Sequence, residues 1–423
     1  MKMKRHSYRI IIPMLCLVLS MLCLAAAASA KQMSYAAWYA SDRYINFTRI
    51  MEEATKAKLP DIQLEFMPQG GLDRQLTMLA AGSFPDVVAV HSTSSFPQLL
   101  EAGALKPLRV VDEDILNSVP RDLLEPFIHE GVLYAIPATV EVSNMGINVS
   151  MLSAAGLNYP DWNWTWNDLL NMSKPLTKDT NGDGRPDVWG TGIWWQGEQF
   201  VGPFVYANGG SFMNKQFMGT EVTINSPGTI QAYDYLRSLV HDYRVAFPGQ
   251  GWNEWQAGII AMNYLGSWSI GSAQRSVKDS FEWDYHPFPI CPNTGKRGGR
   301  LSLIGVAVSA TTTHDEALII AQLAADRWVQ EQFLITALSA VPARRDLFNS
   351  PYFLPPEVVP RNARKTMMDN LTGGYMMVDT VYPHPDAALK VREYSRQIIQ
   401  DGIGAGVVLA KAYEELTAMM FGK

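Results

Sequence analysis

Residues 84–108 read FPDVVAVHSTSSFPQLLEAGALKPL, and this stretch indicates the fold class of the chain. The apolar run over residues 86–90 predicts a short buried strand. Residues 96–102 predict a helix, and Gly103 is its expected end because glycine readily adopts the backbone conformation that stops a helix. A buried strand followed closely by a helix is the repeating unit of α/β domains.

The same order of elements occurs just upstream. Residues 62–67 predict a strand and residues 72–81 a helix. Repeated strand–helix order predicts a largely parallel sheet. Because parallel sheets bind ligands at the carboxyl ends of their strands, His91, Ser92 and Thr93 lie at a predicted ligand-binding edge.

The second half of the chain is richer in predicted helix. Pro227 begins the first of these helices, since proline is tolerated in a first helical turn, and Thr313 is the expected cap of the second. Residues 301–309 predict a strand within this helical half, as expected if the chain crosses back to the first sheet. The predicted helices cover residues 227–240, 386–399 and 407–421, and a further helix is predicted within residues 314–340.

Residues 1–30 have the pattern of a cleaved signal peptide. A basic start is followed by an apolar run and by Ala28-Ser29-Ala30, a small-x-small site that signal peptidase accepts. The run is also just long enough for an uncleaved membrane anchor. Cys16 and Cys23 leave a lipoprotein open, although each follows a leucine where lipid modification favours a small residue. We predict an exported, periplasmic protein that begins near Lys31.

Charge and length narrow the function further. The chain carries 35 Lys and Arg against 41 Asp and Glu, and the predicted signal peptide contains only basic charges. The exported part is therefore acidic, which argues against nucleic acid as a partner because phosphate binding requires a basic surface. About 390 mature residues exceed one ordinary domain and predict two lobes. Cys291 is the one cysteine left after export, so no intramolecular disulfide is expected and it is predicted to be a small packed residue.

The sharpest local motif is DTNGDGRPD at residues 179–187. Its spacing would wrap oxygen ligands around one centre, as Ca²⁺ requires, with Gly184 at the sharp turn. A helix–loop–helix calcium site has Glu at position twelve, but this position is Gly190, so the last ligand would come from elsewhere or from water. We predict a structural Ca²⁺ ion, and the alternative is a polar turn without metal. The predicted ligands are Asp179, Asn181, Asp183, Asp187 and the backbone carbonyl of Arg185.

Tryptophan supplies a second signal. An indole face packs well on the C–H face of a sugar ring, and its N–H seeks a polar partner. The alternative for any single tryptophan is packing in the core. Five of the twelve lie in Gly-rich or polar surroundings: Trp194, Trp195, Trp252, Trp255 and Trp268. Three others are expected to serve packing and the start of the next helix: Trp162, Trp164 and Trp166.

Sequence signals of catalysis are weak. The chain has no serine nucleophile elbow, no zinc-protease motif and no phosphate-binding loop. Glu141 and Glu198 could form the carboxylate pair of a glycoside hydrolase. A secreted, calcium-stabilised carbohydrate enzyme therefore stays open as an alternative.

Seven short motifs follow one another from Phe84 to Arg344. In this order they resemble the motifs of extracellular solute-binding proteins of the ABC sugar-importer type, the family that includes maltose-binding protein. They are FPDVV (84–88), LLEAGALKPL (99–108), GVLYAIP (131–137), an N…AGL…TW pattern (148–166), ANGG (207–210), AM…GSW (261–268) and VPAR (341–344).

The resemblance implies the α/β fold of type II periplasmic binding proteins. Two lobes, each a mainly parallel sheet flanked by helices, would be joined by a multi-strand hinge with the ligand between them. The implied N-terminal lobe comprises residues 31–139 and 303–340. The implied C-terminal lobe comprises residues 140–302 and 341–423.

The resemblance also implies ligand-binding residues. Glu141 falls where the family has a sugar-binding glutamate, and Trp268 falls on a stacking tryptophan. The segment that contains Trp194, Trp195 and Glu198 falls on another ligand-contacting stretch.

Trp38 and Arg344 complete the implied set of ligand-binding residues. His91, Ser92 and Thr93 stand where maltose-binding protein has a Trp-containing segment, and this departure argues against maltose itself.

The implied function is that of the substrate-binding component of an ABC-type importer. Such a protein binds a sugar or oligosaccharide between its lobes and delivers it to membrane permease subunits. It is not an enzyme, and we expect a monomer. A subunit that presents its ligand to a membrane sensor would share the same fold and pocket, and it stays open as an alternative.

Overall fold

The computed structural model describes residues 31–422 apart from residues 39–41, 110–111, 338, 356, 358–359, 375 and 379. The predicted signal peptide lies outside the described residues. Within the described part, no helix combines the length and the apolar character needed to span a membrane.

The first third of the described chain alternates strands and helices. It confirms the strands predicted at residues 62–67 and 86–90 and the helices predicted at residues 72–81 and 96–102. Gly103, just beyond the second helix, has a φ of +66°, as its predicted role requires. The elements are β1 (Lys31–Ala37), α1 (Asp42–Lys58), β2 (Ile62–Pro68), α2 (Leu72–Ala80), β3 (Val87–His91), α3 (Phe96–Glu101), α4 (Glu113–Ser118), α5 (Arg121–Leu124), β4 (Ile128–His129), β5 (Val132–Leu133) and β6 (Ala135–Asn148).

The middle of the chain contains most of the second lobe. Helix α7 begins as predicted near the Trp162–Trp166 stretch: Thr165 and Asp168 cap it reciprocally, and Trp164 and Trp166 are buried. The elements are α6 (Val149–Ala154), α7 (Trp166–Leu176), β7 (Trp189–Gly192), α8 (Glu198–Ala207), α9 (Pro227–His241), β8 (Ala246–Phe247), α10 (Trp252–Gln256), β9 (Ile260–Gly266), α11 (Ile270–Val277), β10 (Trp283–His286) and β11 (Gly299–Val308).

The last part is helical, as predicted, with one correction. Residues 314–340 contain helix as predicted, but it is divided into two helices, and the expected cap at Thr313 is wrong because the first of them begins after Asp315. A new helix starts at Asp326, whose carboxylate accepts hydrogen bonds from the backbone N–H groups of Trp328 (2.8 Å) and Val329 (3.2 Å). The elements are α12 (Glu316–Leu323), α13 (Arg327–Thr336), α14 (Ala363–Thr372), β12 (Met376–Val378), α15 (Ala387–Ile399) and α16 (Ala405–Phe421).

Ten of the described strands form one continuous sheet that serves two lobes, and β4 and β5 pair separately with each other. The strand order along the sheet follows the path β2-β1-β3-β11-β6-β9-β7-β8, with β10 paired to β6 and β12 to β11. Pairing is parallel among β1, β2 and β3 and among β7, β8 and β9, whereas β11 and β6 run antiparallel to their neighbours on this path. This confirms a two-lobed type II binding-protein fold with a multi-strand connection.

Strand β6 passes from one lobe into the other. Residues 135–142 pair with β11 in the first sheet, and residues 143–147 pair with β9 in the second. All fourteen residues of the strand are buried. The pairing therefore changes between Val142 and Ser143, close to the predicted crossing after residue 139, and the exact lobe boundaries stay a prediction.

The second crossing strand, β11, is packed tightly against the second lobe at its start. Gly298 precedes this strand, and a Cβ atom on it would lie 1.8 Å from the backbone oxygen of Pro203 in α8. Two stretches of backbone can approach this closely only where no side chain intervenes. Cys291, a few residues earlier, is fully buried as predicted, and its thiol donates to Asn208 Oδ1.

We predict that Gly298→Ala lowers the free energy of unfolding by about 1–3 kcal/mol, because the added methyl group forces α8 away from the crossing strand. Gly406→Ala in α16 is the matched control, since a Cβ there meets nothing within 4 Å and alanine favours a helix. Denaturant titration followed by circular dichroism measures both. Equal stability of the two variants would contradict the close approach.

Candidate functional site

A cavity of about 590 Å³ lies between the two lobes. Helices α1 and α13 form one wall, and the ends of β7 and β9 with helices α10 and α11 form the other. The first wall contributes Arg43, Asn46, Thr336, Ala337 and Ser339. The second contributes Trp194, Trp252, Tyr264, Gly266, Trp268, Ser269, Ser272 and Arg275.

The second wall is aromatic. Trp194 packs on Phe200 with ring centroids 4.1 Å apart and meets Tyr264 edge-on at 5.8 Å. Trp268 follows strand β9 directly, and Gly266 makes room for it, because a Cβ there would lie 2.3 Å from the indole ring. The predicted residues Trp194 and Trp268 are thus brought together in one cavity.

A buried ion pair lies beside the first wall. Glu141 on β6 is 8% exposed, and its Oε1 accepts hydrogen bonds from Arg43 Nη2 at 2.7 Å and from the Tyr44 hydroxyl. Ser302 on β11 donates to the other carboxylate oxygen at 3.3 Å. Arg43 Nη1 donates to the backbone oxygen of Ser339 at 3.2 Å. Glu141 is not part of the cavity lining. It contacts Arg43, which is.

The charges around Glu141 decide its ionisation. Burial by itself would raise the pKa of Glu141, but the adjacent Arg43 guanidinium and the charges of His91 and Arg300 outweigh it, and the pKa lies below its ordinary value. Arg300, at 5% exposure, also lies over the Trp268 ring, with 5.8 Å from its guanidinium carbon to the ring centroid. It connects the ion pair to the aromatic wall.

Two further predicted residues adjoin this ion pair. The ring of Trp38 lies 5.8 Å from that of His91 and 6.3 Å from that of Tyr44. Ser92 and Thr93 form hydrogen bonds at the end of β3. The Ser92 hydroxyl accepts from the Leu303 N–H of β11, and the Thr93 hydroxyl lies 3.2 Å from His91 Nδ1.

Two predicted residues of the second lobe lie away from the cavity lining. The Glu198 carboxylate accepts from the Thr380 N–H (2.6 Å) and from the hydroxyl groups of Tyr382 (2.6 Å) and Tyr206. It thereby ties α8 to the segment after β12. Trp195 has the Arg392 guanidinium carbon 5.9 Å from its ring centroid. Neither residue lines the cavity, and three protein donors already occupy the Glu198 carboxylate.

The position of Arg344 does not support a ligand-binding role either. Its side chain is 1% exposed and forms ion pairs with Asp114 (2.9 Å) and Asp346 (3.0 Å). Arg344 also donates to the Ala325 carbonyl and the Ser118 hydroxyl. With its donors used in this way, it ties the segment after α13 to helix α4, and it is not part of the cavity lining.

The aspartate-rich loop between α7 and β7 directs its carboxylates to its own backbone. The two oxygens of Asp179 accept from the N–H groups of Gly182 (2.6 Å) and Gly184 (2.8 Å), and Asp187 accepts from the Thr180 hydroxyl (2.7 Å). Within the described residues, no group of three His, Cys, Asp or Glu side chains comes close enough to hold a metal ion. The side chains as placed do not form the expected cage, and calcium stays a prediction.

Several cavity residues carry no local sequence signal. Arg43 and Asn46 lie on one face of α1, Ser339 follows α13, and Tyr264 lies within the fully buried strand β9. They meet only because the lobes face each other. Trp252 is one of the tryptophans in polar surroundings. No feature of the sequence distinguishes it from the nearby Trp255, which is fully buried and does not line the cavity.

We predict that Glu141→Gln lowers the free energy of unfolding by about 3–5 kcal/mol at neutral pH, because it leaves the buried Arg43 without its charge partner. The pKa of Glu141 is lowered in the folded protein, so its contribution is complete above the ordinary carboxyl pKa and is lost as the pH falls through the lowered value. The difference between the two proteins should therefore shrink in acid.

The matched control for this variant is Glu125→Gln, which breaks an exposed pair with Arg121 and should cost less than about 1 kcal/mol. Urea titrations of both variants at several pH values make the measurement. An effect of Glu141→Gln no larger than that of the control would show that the pair does not organise the cleft.

Comparison with known proteins adds solved structures of the same fold. Three of these have TM-scores of 0.77, 0.75 and 0.75 and sequence identities of 21%, 16% and 16%, and each covers 92% of this chain and 98% of the other chain. They are, in that order, an ABC substrate-binding protein from Listeria monocytogenes in complex with cycloalternan, a cyclo/maltodextrin-binding protein complexed with maltotetraose, and UgpB from Mycobacterium tuberculosis in complex with glycerophosphocholine.

The sequence comparison gives the family directly. The profile of the bacterial extracellular solute-binding proteins matches residues 44–330, which include most of both lobes and the crossing strands β6 and β11. The chain therefore belongs to the bacterial extracellular solute-binding protein family, whose members bind solutes and are not enzymes.

Proposed function

We propose that this protein binds a sugar or oligosaccharide between its lobes and delivers it to the membrane permease subunits of an ABC-type importer. The observation that carries the proposal is the aromatic wall of the cavity, with Trp194, Trp252 and Trp268 on one side and polar groups on the other. Indole faces suit the C–H faces of sugar rings, and the polar groups suit the hydroxyls.

The size of the cavity supports this class of ligand. Its volume of about 590 Å³ falls within the range of about 300–1,000 Å³ that is typical of small-molecule sites. Serine and asparagine side chains (Asn46, Ser269, Ser272) offer both donors and acceptors to hydroxyl groups.

Ligand binding would favour the closed arrangement of the lobes. A ligand shifts such an equilibrium only through contacts that it makes better in one state. Arg43 and Trp268 lie on opposite walls, so a ligand that touches both gains contacts only when the walls approach. Hinge closure about the crossing strands is the expected motion.

The ligands of the related structures agree with a sugar without fixing which one. Two of the three compared proteins were solved with the saccharides cycloalternan and maltotetraose, and the third with glycerophosphocholine. Another small solute is therefore the second candidate. An exported, periplasmic and monomeric protein fits the importer role, and a sensor-presenting subunit would differ only in its membrane partner.

Titration of the mature chain with neutral and charged mono-, di- and oligosaccharides, followed by tryptophan fluorescence, tests the proposal. We predict a saturable change with at least one sugar. Trp268→Ala should weaken that binding by about tenfold or more, because a stacking platform is lost. Trp328→Ala, at a tryptophan that is 44% exposed on α13, is the control and should bind normally. No response to any sugar would refute the sugar assignment.

We also propose that the loop at residues 179–187 binds a structural Ca²⁺ ion. Addition of about 1 mM Ca²⁺ should then raise the unfolding temperature of the wild type, since a ligand that binds only the folded state stabilises it. Asp183→Ala should abolish the increase, and Mg²⁺ should produce little of it. An unfolding temperature that is indifferent to Ca²⁺ and to chelator would leave the polar turn as the correct interpretation.

A further inference from the structure

The three tryptophans of the cavity lining form separate surfaces. Among the described residues, the ring of Trp252 contacts that of Trp255, and the ring of Trp194 contacts that of Phe200. No ring contact in the described part of the chain joins any two of Trp194, Trp252 and Trp268. All three belong to the same wall, so a sugar ring that stacks on one of them cannot be sandwiched by another.

Trp268 and Trp252 lie in different parts of this wall. Trp268 adjoins the crossing strand β11, since the guanidinium carbon of Arg300 on that strand is 5.8 Å from the centroid of its ring. Trp252 begins helix α10 and stacks on Trp255, with ring planes 17° apart and centroids 6.1 Å apart. The wall therefore offers one aromatic platform beside the hinge strands and another on α10.

The platform on α10 is held in place from behind. Trp255 is fully buried, lies against one face of Trp252, and itself meets Trp283 edge-on with centroids 5.2 Å apart. Asn263 Nδ2 donates to the backbone oxygen of Gly251, the residue before Trp252, at 3.1 Å. Trp252 is only half-buried and lines the cavity, so its other face is available to a solute. A side chain that is already fixed in this way loses little freedom on binding.

The cavity has space for a ligand longer than one sugar ring. Its volume of about 590 Å³ is typical of drug-sized ligands, for which sites measure about 300–1,000 Å³, and a monosaccharide is smaller than these. The opposite wall carries the polar side chains of Asn46, Thr336 and Ser339. A chain of sugar rings could therefore place its C–H faces on the indoles and its hydroxyl groups toward the first wall.

We propose that the solute is an oligosaccharide rather than a monosaccharide, with one ring stacked on Trp268 and a following ring on Trp252. This inference rests on the proposed sugar-binding function and narrows it. Trp252 is then the residue that sets the preferred length of the sugar, because a single ring on Trp268 leaves the platform on α10 uncovered.

Isothermal titration calorimetry on the mature chain tests this with sugars of graded length. The probes are glucose with maltose and maltotriose, glucose with cellobiose and cellotriose, mannose with mannobiose and mannotriose, and xylose with xylobiose and xylotriose. We expect at least one series in which the di- or trisaccharide binds about tenfold or more tightly than the monosaccharide, because a second stacked ring adds apolar contact.

Trp252→Ala should remove most of this gain: the longer sugar loses about tenfold in affinity, and the monosaccharide loses less. Trp252→Phe, which keeps a smaller aromatic face, should retain part of the gain. Trp268→Ala should instead weaken sugars of every length. Trp328→Ala, at a tryptophan that is 44% exposed on α13, is the control and should retain the whole gain. A thermal melt of each variant shows whether the fold is intact, and the comparison of lengths on the wild type does not depend on any variant.

The outcomes separate the two proposals. An affinity that rises with length and depends on Trp252 supports the inference. A monosaccharide that binds as tightly as its oligomers, or a gain with length that survives Trp252→Ala, overturns it and leaves the sugar-binding function in place. No binding of any sugar overturns both.

Discussion

The structure depends on the backbone pairing of β6 with two different sheets. A strand that pairs with β11 along its first part and with β9 along its second, and that is buried along its whole length, cannot slip, because a shift of one residue would turn every side chain to the opposite face. It therefore fixes the position of Glu141 and, through it, of Arg43. Any rotation of the lobes about this connection would leave the groups at its centre in the same relation to one another.

The cleft that results divides its chemistry between its walls. The first wall offers the Arg43 guanidinium, held from behind by Glu141, and the second offers indole faces. Neither wall alone combines both kinds of group, since one lacks an apolar platform and the other lacks the Arg43–Glu141 pair. Under the proposed function, a sugar bound between the walls would contact both, and this would be the physical basis of capture by closure.

Local pattern predicted much of the fold and part of the cleft. The strand and helix of residues 84–108 and the returning strand near residue 301 depend on nearby apolar residues, which a sequence displays directly. Trp194 and Trp268 stood out because tryptophan is unusual in Gly-rich and polar surroundings. Arg43, by contrast, is an ordinary helix residue until α1 is placed against β6, some hundred positions later in the chain.

The remaining differences between the predicted site and the structure come from the directions in which side chains point. The resemblance implied a ligand-binding Arg344, but its guanidinium forms ion pairs with Asp114 and Asp346. The spacing of the loop at residues 179–187 places oxygens at regular intervals, yet spacing does not determine whether they accept from backbone amides or converge on an ion. Glu198 was expected at a ligand, and three protein donors surround it instead. Local motifs and spacing do not determine the directions in which these side chains point.

The insertion of β11 between β3 and β6 has a consequence for biosynthesis. The neighbours of this strand are made well over a hundred residues earlier, so the first sheet stays incomplete until most of the polypeptide has left the ribosome. Pairings between such distant segments form slowly. Folding of the first lobe therefore ends late, because its sheet closes only when the segment that forms β11 is available to pair with both neighbours.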